Sequence, residues 1–370
     1  MPLFEIIINQ AIVDFKAGKS QQAMESLRTA LKNNPSTFEL WQALGVIAVR
    51  SNILTCGIEA LSHAAALRPL DHTRYEELAN AYILSEDTHR AIECLTSALA
   101  LSPTNSSYEI ALQKLQLQVS EKVKEKEFNN TKSSEIILNN DLFAHLQDLA
   151  EEKKYYELAK YASNHNADNS TDVRIRYILA LTHEGLSQFE SVIHHLEFVT
   201  SAMPAFAKAS ESLGDYLVMN SRVQRVISEN NALVWEQFLN YENKLNQADA
   251  AYRKALDYAP HSLTCRLHFG NLCYYLGDLD EAEKQFLIVL ENKPQANITR
   301  YNLAQIYKRK SRNTKARKEL SQCLSSDPSF REATEALAYV EMEMGNHEVA
   351  AFTFLKALYL EPSITPDLCE

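Results

Sequence analysis

The chain has 370 residues, of which 46% are hydrophobic and 23% charged, and its formal net charge is −11. This acidic balance argues against nucleic acid as a partner, because phosphate binding needs a basic face. No apolar run approaches the roughly 20 residues that a membrane helix needs, so no membrane insertion is expected. The six scattered cysteines form no CxxC pair, and Glu5 interrupts the apolar N-terminal stretch. These features predict a cytoplasmic protein without a signal peptide, disulfide framework or zinc site.

The prolines recur at a fixed interval. The spacing is 34 residues in two blocks, Pro35–Pro69–Pro103 and Pro260–Pro294–Pro328–Pro362. Because proline cannot continue a helix, each is expected to close a helical segment. A fixed period of this length indicates internal repeats.

Counting from these prolines brings the same residue classes into register. Six units begin at residues 4, 38, 72, 263, 297 and 331. A small residue occupies the eighth position of each one: Ala11, Gly45, Ala79, Gly270, Ala304 and Ala338. A second small residue, such as Ala23 or Ala282, stands at the twentieth position and lets two antiparallel helices approach closely. Gly18, Gly277 and Gly345 are placed to end the first helix of their units.

This register resembles the tetratricopeptide repeat, a helix–turn–helix unit. The resemblance implies an all-α fold, a right-handed α-solenoid of stacked units, because an amphipathic unit buries its apolar face only against neighbouring units. Two weaker units are expected at 173–206 and 229–262, although Glu236 stands where the second needs a small residue. In the second unit, Trp41 falls at the fourth position, so it is interpreted as a packing residue.

The rhythm of the repeats predicts four segments. The boundaries are an N-terminal array of three units at 1–105, a degenerate unit or charged mobile linker at 106–139, irregular repeat-like helices at 140–228 with an extra helix near 205–228, and a C-terminal array of four units at 229–370. Within the third segment, 140–165 is expected to be a helical pair. The sequence ends eight residues after Pro362 without a polar capping helix, so a further domain, a partner or a second copy is expected to cover the last apolar face.

No phosphate-binding, zinc-protease or nucleophile-elbow motif is present in the sequence. The densest histidine group is His183, His194 and His195, and the last two point apart on a helix, so packing or solvation is favoured over a metal site. The sequence therefore predicts no catalytic residue, no metal and no cofactor.

Binding is the better prediction. In tetratricopeptide repeat proteins the first helices of successive units line a concave groove, and the resemblance assigns partner-binding positions to this chain. These are Asn271, Tyr274, Tyr275, Tyr301, Asn302, Gln305, Lys308, Arg309 and Tyr339. Glu335 and Glu343 occupy groove positions of the last unit. Tyrosine and asparagine offer rigid area and amide hydrogen bonds to an extended peptide. The alternative is that the tyrosines pack between units.

The segment KRKSRNTKARK at 308–318 holds seven basic residues in an otherwise acidic chain. It is either a solvated helix face or an acceptor for an acidic segment or a C-terminal carboxylate. The carboxylate clamp of chaperone-binding repeats matches at Asn271 and Asn302, whereas Leu267, Glu332 and Ala336 replace its basic residues. Binding of a chaperone tail is therefore disfavoured.

The leading hypothesis is a non-catalytic interaction scaffold that binds a protein or peptide, one with an acidic segment among the candidates, in its concave groove. Two alternatives stay open. One is the substrate-recruiting arm of a larger enzyme of glycosyltransferase, sulfotransferase or oxygenase type. The other is a self-assembling homo-oligomer.

Overall fold

The computed structural model describes residues 3–122, 139–230 and 235–360, and these ranges contain helices and no strand. The all-α prediction is confirmed. The helices are α1 Leu3–Lys16, α2 Ser20–Asn33, α3 Phe38–Arg50, α4 Leu54–Leu67, α5 His72–Leu84, α6 Thr88–Leu101, α7 Ser106–Lys122, α8 Asn140–Glu151, α9 Tyr155–Asn164, a short 3₁₀ helix Ala167–Asn169, α10 Val173–Gly185, α11 Phe189–Ala202, α12 Ala207–Asn230, α13 Trp235–Tyr258, α14 Leu263–Leu276, α15 Leu279–Asn292, α16 Asn297–Arg309, α17 Asn313–Ser326, α18 Arg331–Glu343 and α19 His347–Leu358.

The chain divides into two compact units, Met1–His261 and Ser262–Glu370. The first unit contains the helices up to α13, and the second contains α14 to α19. In both units, consecutive helices pack as antiparallel pairs, and the second helix of one pair packs on the first helix of the next. The four-segment division by sequence remains a prediction, and its residues 123–138 and 361–370 lie outside the described part of the chain.

A left-handed residue separates the two helices of each repeat. Gly18, Gly277 and Gly345 have φ of 79°, 86° and 82°, which confirms that these glycines end first helices. Residues with side chains take the same conformation in other repeats: Asn52, Glu86, Lys153, Ser187 and Ser311. A residue with a side chain costs about 1–2 kcal/mol in this conformation. At these positions the packing of the two helices therefore imposes the turn, and local sequence preference does not.

The small residues of the eighth position are buried where two helices touch. Ala11, Ala79 and Ala338 are fully buried. A Cβ on Gly45 would lie 2.7 Å from Cγ of Leu61, and one on Gly270 would lie 2.5 Å from Cε1 of Phe286. The close approach predicted from the pattern is therefore real, and at these two glycines the space excludes even a methyl group.

Aspartates begin several of the helices. The carboxylates of Asp87 and Asp278 accept hydrogen bonds from the backbone N–H of Arg90 and Glu281, each at 3.1 Å. Asp172 does the same for Arg174 at 3.0 Å and also accepts from the backbone N–H of Asn139, which joins α10 to the start of α8. These caps satisfy N–H groups that have no partner within the helix.

The structure differs from the repeat pattern at 229–262. Residues Trp235–Tyr258 form one continuous helix, α13, which pairs with the equally long α12. A helix–turn–helix unit would need a left-handed residue near Asn243, and the described residues of α13 contain none. The expected repeat is absent there because the chain stays helical through its turn position. Its small residues Ala248 and Ala255 are still buried.

The later part of the first unit packs back on its early repeats. The backbone N–H of Ala205 donates to Oγ of Ser97 at 3.1 Å, and the Tyr258 hydroxyl donates to Glu93 on α6. The Tyr82 and Tyr258 rings meet edge to face with centroids 6.5 Å apart. The core of this unit therefore joins residues separated by more than 100 positions, a contact that the repeat register does not predict.

Candidate functional site

The first helices of the second unit, α14, α16 and α18, are neighbours, and α16 contacts both of the others. They carry all nine residues that the sequence assigns to partner binding. We call the surface formed by these residues the tyrosine face. Its members are Asn271, Tyr274 and Tyr275 on α14, Tyr301, Asn302, Gln305, Lys308 and Arg309 on α16, and Tyr339 on α18.

Two asparagines link the first helices at the centre of this face. Nδ2 of Asn302 donates to Oδ1 of Asn271 at 2.8 Å. Asn302 is 9% exposed, whereas Asn271 is half-buried. The amide of Asn302 is therefore held in one orientation by its hydrogen bond to α14. Its second N–H and its carbonyl oxygen keep the directions that this orientation sets.

Cations lie over two of the tyrosine rings. The guanidinium carbon of Arg309 is 4.0 Å from the centroid of Tyr274, and its Nη1 donates to the Tyr274 carbonyl at 3.3 Å. Nζ of Lys308 is 4.9 Å from the centroid of Tyr339. These cation–π contacts fix the side chains across the three first helices. The side chains of this face therefore hold one another in place.

The tyrosines divide between packing and exposure. Tyr301 packs against Phe330 at a centroid distance of 5.4 Å, as the packing alternative expects. Tyr275 and Tyr339 are 39% and 46% exposed. Tyr339 also rests edge to face on Phe354 of α19, 4.9 Å away. Exposed rings with a fixed edge present apolar area together with a hydroxyl group.

Three of the seven basic residues of the segment 308–318 form ion pairs within the second unit. Nζ of Lys310 lies 2.7 Å from Asp280 and 2.6 Å from Glu283, and Arg312 is 3.5 Å from the same Glu283. Arg317 pairs at 3.0 Å with the buried Glu341. Burial lowers the pKa of Lys310, but its hydrogen bonds to Asp280 and Glu283 together outweigh that effect. The pKa of Lys310 is therefore raised above its ordinary value. These charges hold neighbouring repeats together, which leaves Lys308 and Arg309 as the cations of the tyrosine face.

A concave surface lies in the first unit. We call it the N-terminal groove. It has a volume of about 610 Å³ and is lined by residues of α1 and α3: Glu5, Ile8, Asn9, Ile12, Phe15, Lys16, Glu39, Gln42, Ala43, Val46, Ile47 and Arg50. Its lining combines apolar residues with charged residues of both signs. The sequence analysis missed this surface, although the crowded apolar residues of LFEIIINQAIVDF exceed what one buried helix face accommodates.

An apolar surface is also exposed on α19. Phe352 and Leu358 on this helix are exposed by 73% and 72%, and Tyr359, the residue that follows it, by 88%. No helix among the described residues is long and apolar enough to cross a membrane.

A family model described as tetratricopeptide repeat matches residues 8–72, 241–297, 267–321 and 301–366, which together exceed half of the chain. A second model of the same description matches residues 73–105. The chain is a tetratricopeptide repeat protein. This membership confirms the resemblance read from the residues, and it identifies a repeat of the kind that mediates protein–protein interaction.

Solved structures similar to this tetratricopeptide repeat protein include two of MamA. A crystal structure of MamA protein shares 16% identity, with a TM-score of 0.42, over 50% of this chain and 90% of that chain. MamA 41-end from Desulfovibrio magneticus RS-1 shares 13% identity, with a TM-score of 0.42, over 51% of this chain and 94% of that chain. No curated protein matches the sequence.

Proposed function

We propose that this protein is a non-catalytic scaffold that holds a protein or peptide partner along the first helices of its repeats. The observation that carries the proposal is the tyrosine face, where side chains from three successive first helices fix one another through Asn302–Asn271, Arg309–Tyr274 and Lys308–Tyr339. A surface ordered in advance loses little side-chain entropy when a partner binds.

The chemistry of the tyrosine face favours an extended peptide with a carboxylate side chain. Tyr275 and Tyr339 offer exposed rings, and the amides of Asn271 and Gln305 suit peptide groups of a main chain. Lys308 and Arg309 lie over tyrosine rings, and a cation–π contact does not use the N–H groups of the cation. N–H groups of both side chains therefore remain to donate hydrogen bonds to a partner. An acidic side chain of the partner would pair with these two cations.

The N-terminal groove extends the same proposal to a second contact. Ile8, Ile12 and Val46 line it together with the oppositely charged Glu39 and Arg50. Its volume of about 610 Å³ is in the range of small-molecule sites and larger than any single side chain, so several apolar side chains of the partner would be needed to fill it.

The experiment compares partner capture by matched tyrosine variants of the full chain. Tyr275→Ala with Tyr339→Ala removes both exposed rings of the tyrosine face, and Tyr156→Ala removes a ring that is 76% exposed on α9. Proteins captured by the wild type are identified by mass spectrometry. Peptides from their sequences are then synthesised, and their binding to the wild type and to each variant is measured by calorimetry. We expect binding to weaken at least tenfold in the double variant and to be unchanged in Tyr156→Ala. Equal binding by all three proteins would refute the tyrosine face as the binding surface.

Self-association is a second candidate, because the second unit exposes Phe352 and Leu358 on α19 and the adjacent Tyr359. Multi-angle light scattering over a range of concentrations distinguishes the two. A dimer that Phe352→Ser with Leu358→Ser converts to a monomer would support self-association. A monomer at every concentration would exclude it.

A further inference from the structure

Three potential metal ligands from separate elements converge in the first unit. They are Asp168 on the 3₁₀ helix, His183 on α10 and His195 on α11. Oδ1 of Asp168 lies 3.6 Å from Nε2 of His195 and 4.0 Å from Nε2 of His183. One donor atom from each of the three lies within 4.8 Å of the other two. The sequence analysis considered only the histidines of this group, because Asp168 comes near them through the turn between α9 and α10.

The separations match a shared cation better than direct hydrogen bonds. A hydrogen bond would bring a ring nitrogen and a carboxylate oxygen to about 2.7–3.2 Å. Around a tetrahedral zinc ion, with ligand bonds of about 2.0–2.1 Å, donor atoms stand about 3.3–3.4 Å apart. The observed 3.6 and 4.0 Å lie just outside that spacing, so small side-chain rotations would bring all three donors to one ion.

The ring of His183 is held in the orientation that a ligand needs. Its Nδ1 contacts Oε1 of Gln188 at 2.6 Å. An amide oxygen only accepts, so Nδ1 carries the proton and the lone pair of the neutral ring resides on Nε2, the atom that faces Asp168. A metal-binding histidine typically donates its other N–H to an oxygen in this way.

His195 brings a buried imidazole to the cluster. It is 2% exposed, and its Nε2 lies 3.6 Å from Oδ1 of Asp168. A ligand bond from Nε2 to a cation would place the proton of the neutral ring on Nδ1. Nδ1 has no hydrogen-bond partner among the described residues, so His195 lacks the oxygen partner that Gln188 gives His183.

Arg176 fixes the backbone that carries Asp168. Its guanidinium donates to the Asp168 carbonyl and, at 3.1 Å, to Nε2 of His194. His194 is thereby removed from the candidate ligands. The charge of Arg176 opposes a cation nearby, which limits affinity, and the carboxylate of Asp168 offsets it.

We propose that Asp168, His183 and His195 bind a divalent first-row transition metal, preferentially zinc. Two imidazole nitrogens and one carboxylate oxygen suit zinc and not the all-oxygen preference of calcium or magnesium. A water would complete the tetrahedron on the side of Asp168, whose side chain is 51% exposed. The ion would tie the 3₁₀ turn to α10 and α11, a role separate from partner binding at the tyrosine face.

The test is zinc titration of the full chain after treatment with a chelator. We expect one zinc ion per chain with a micromolar or tighter dissociation constant. Asp168→Asn and His183→Gln should each weaken binding at least tenfold, and Gln188→Ala about 10–100-fold, because it removes the oxygen that orients the His183 ring. His165→Gln is the matched control, because His165 is an exposed histidine whose ring contacts the Tyr161 carbonyl outside this cluster. It should bind as the wild type does.

Cobalt provides a readout of the ligand geometry. Substitution of Co²⁺ should give the intense visible bands of a four-coordinate site, and Asp168→Asn should lose them. At one fixed zinc concentration, the melting temperature should rise more for the wild type than for Asp168→Asn. Absence of zinc binding by the wild type would overturn the proposal. Zinc binding by folded Asp168→Asn and His183→Gln as tight as that of the wild type would also overturn it. A His195 variant is not used as the test, because His195 is buried and its replacement would weaken zinc binding also by unfolding the protein.

Discussion

The indole N–H of Trp41 donates to the main-chain carbonyl of Pro35 at 2.7 Å. The same connection recurs at the fourth position of other repeats. The Tyr75 hydroxyl donates to Pro69 at 2.9 Å, and the Arg300 guanidinium donates to Pro294 at 2.8 and 3.0 Å. In these three repeats, a different side chain therefore anchors the first helix to the proline turn before it. Arginine makes this contact as well as tryptophan and tyrosine do, which explains why an aromatic residue is not required at the fourth position.

Removing this donor from Trp41 should destabilise the first unit. Trp41→Phe keeps a ring but loses the hydrogen bond to Pro35, which should lower the free energy of unfolding by about 1 kcal/mol. Trp41→Ala also removes the packing against the core of the first repeats and against His63, 3.9 Å away, and should cost about 3 kcal/mol. Urea denaturation followed by circular dichroism measures both. An unchanged midpoint for Trp41→Phe would show that the hydrogen bond contributes nothing.

Gly270 should not tolerate a methyl group. In Gly270→Ala the new Cβ would meet the fully buried Phe286 ring at 2.5 Å, so the ring or the helices must shift, at a cost of about 1–3 kcal/mol. Ala304 occupies the equivalent position of the next repeat and already carries a Cβ. The reverse change Ala304→Gly should cost about 1 kcal/mol through helix propensity alone. If Gly270→Ala had a melting temperature at or above that of the wild type, the close approach would be wrong.

The His63 ring should make stability depend on pH. Burial, and then the neighbouring His261, lower the pKa of His63 to about 3 from its ordinary 6.5. Between these two pKa values, the unfolded chain therefore binds a proton at His63 and the folded chain does not. This contribution to stability is present above pH 6.5 and is lost as the pH falls toward 3, with a slope of up to about 1.4 kcal/mol per pH unit.

Comparing His63→Phe with the wild type isolates that contribution. Free energies of unfolding measured at a series of pH values should fall less steeply for the variant between pH 6.5 and 3. The two proteins share every other ionisable group, so the difference between the two curves reports on the replacement of His63. Parallel curves would mean that the His63 pKa is not depressed.

Lys310 and Glu283 should be energetically coupled. Their atoms lie 2.6 Å apart, and both side chains are mostly buried, whereas Asp280 on the other side of Lys310 is 95% exposed. A double-mutant cycle of Lys310→Met and Glu283→Gln should give about 1 kcal/mol of coupling. The cycle with Asp280→Asn should give much less, because solvent screens that pair. Equal coupling in the two cycles would contradict the difference in burial.

The repeat register determined much of the fold, for local reasons. Small residues at the eighth and twentieth positions and prolines between units specify where helices end and which faces meet. Gly18, Gly277 and Gly345 adopt the left-handed turns that the pattern predicts. The tyrosine face was also accessible from the sequence, because the family resemblance assigns its nine positions. Partner binding at that face remains a proposal.

Tertiary structure decided what the register could not. The continuous helix α13 replaces an expected repeat, since nothing local forces the chain to turn near Asn243. The basic segment 308–318 pairs with Glu283 and Glu341 on other helices, so its charges serve packing between repeats.

Asp168 meets His183 and His195 only because α9, α10 and α11 fold around one turn. The 34-residue period in the sequence fixes each helix pair and its neighbours, because those contacts lie within adjacent units. Contacts such as Ala205 with Ser97 and Tyr258 with Glu93 join distant parts of the chain, and no periodic pattern encodes them. They depend on how the packed helices close on one another, which only the folded chain determines.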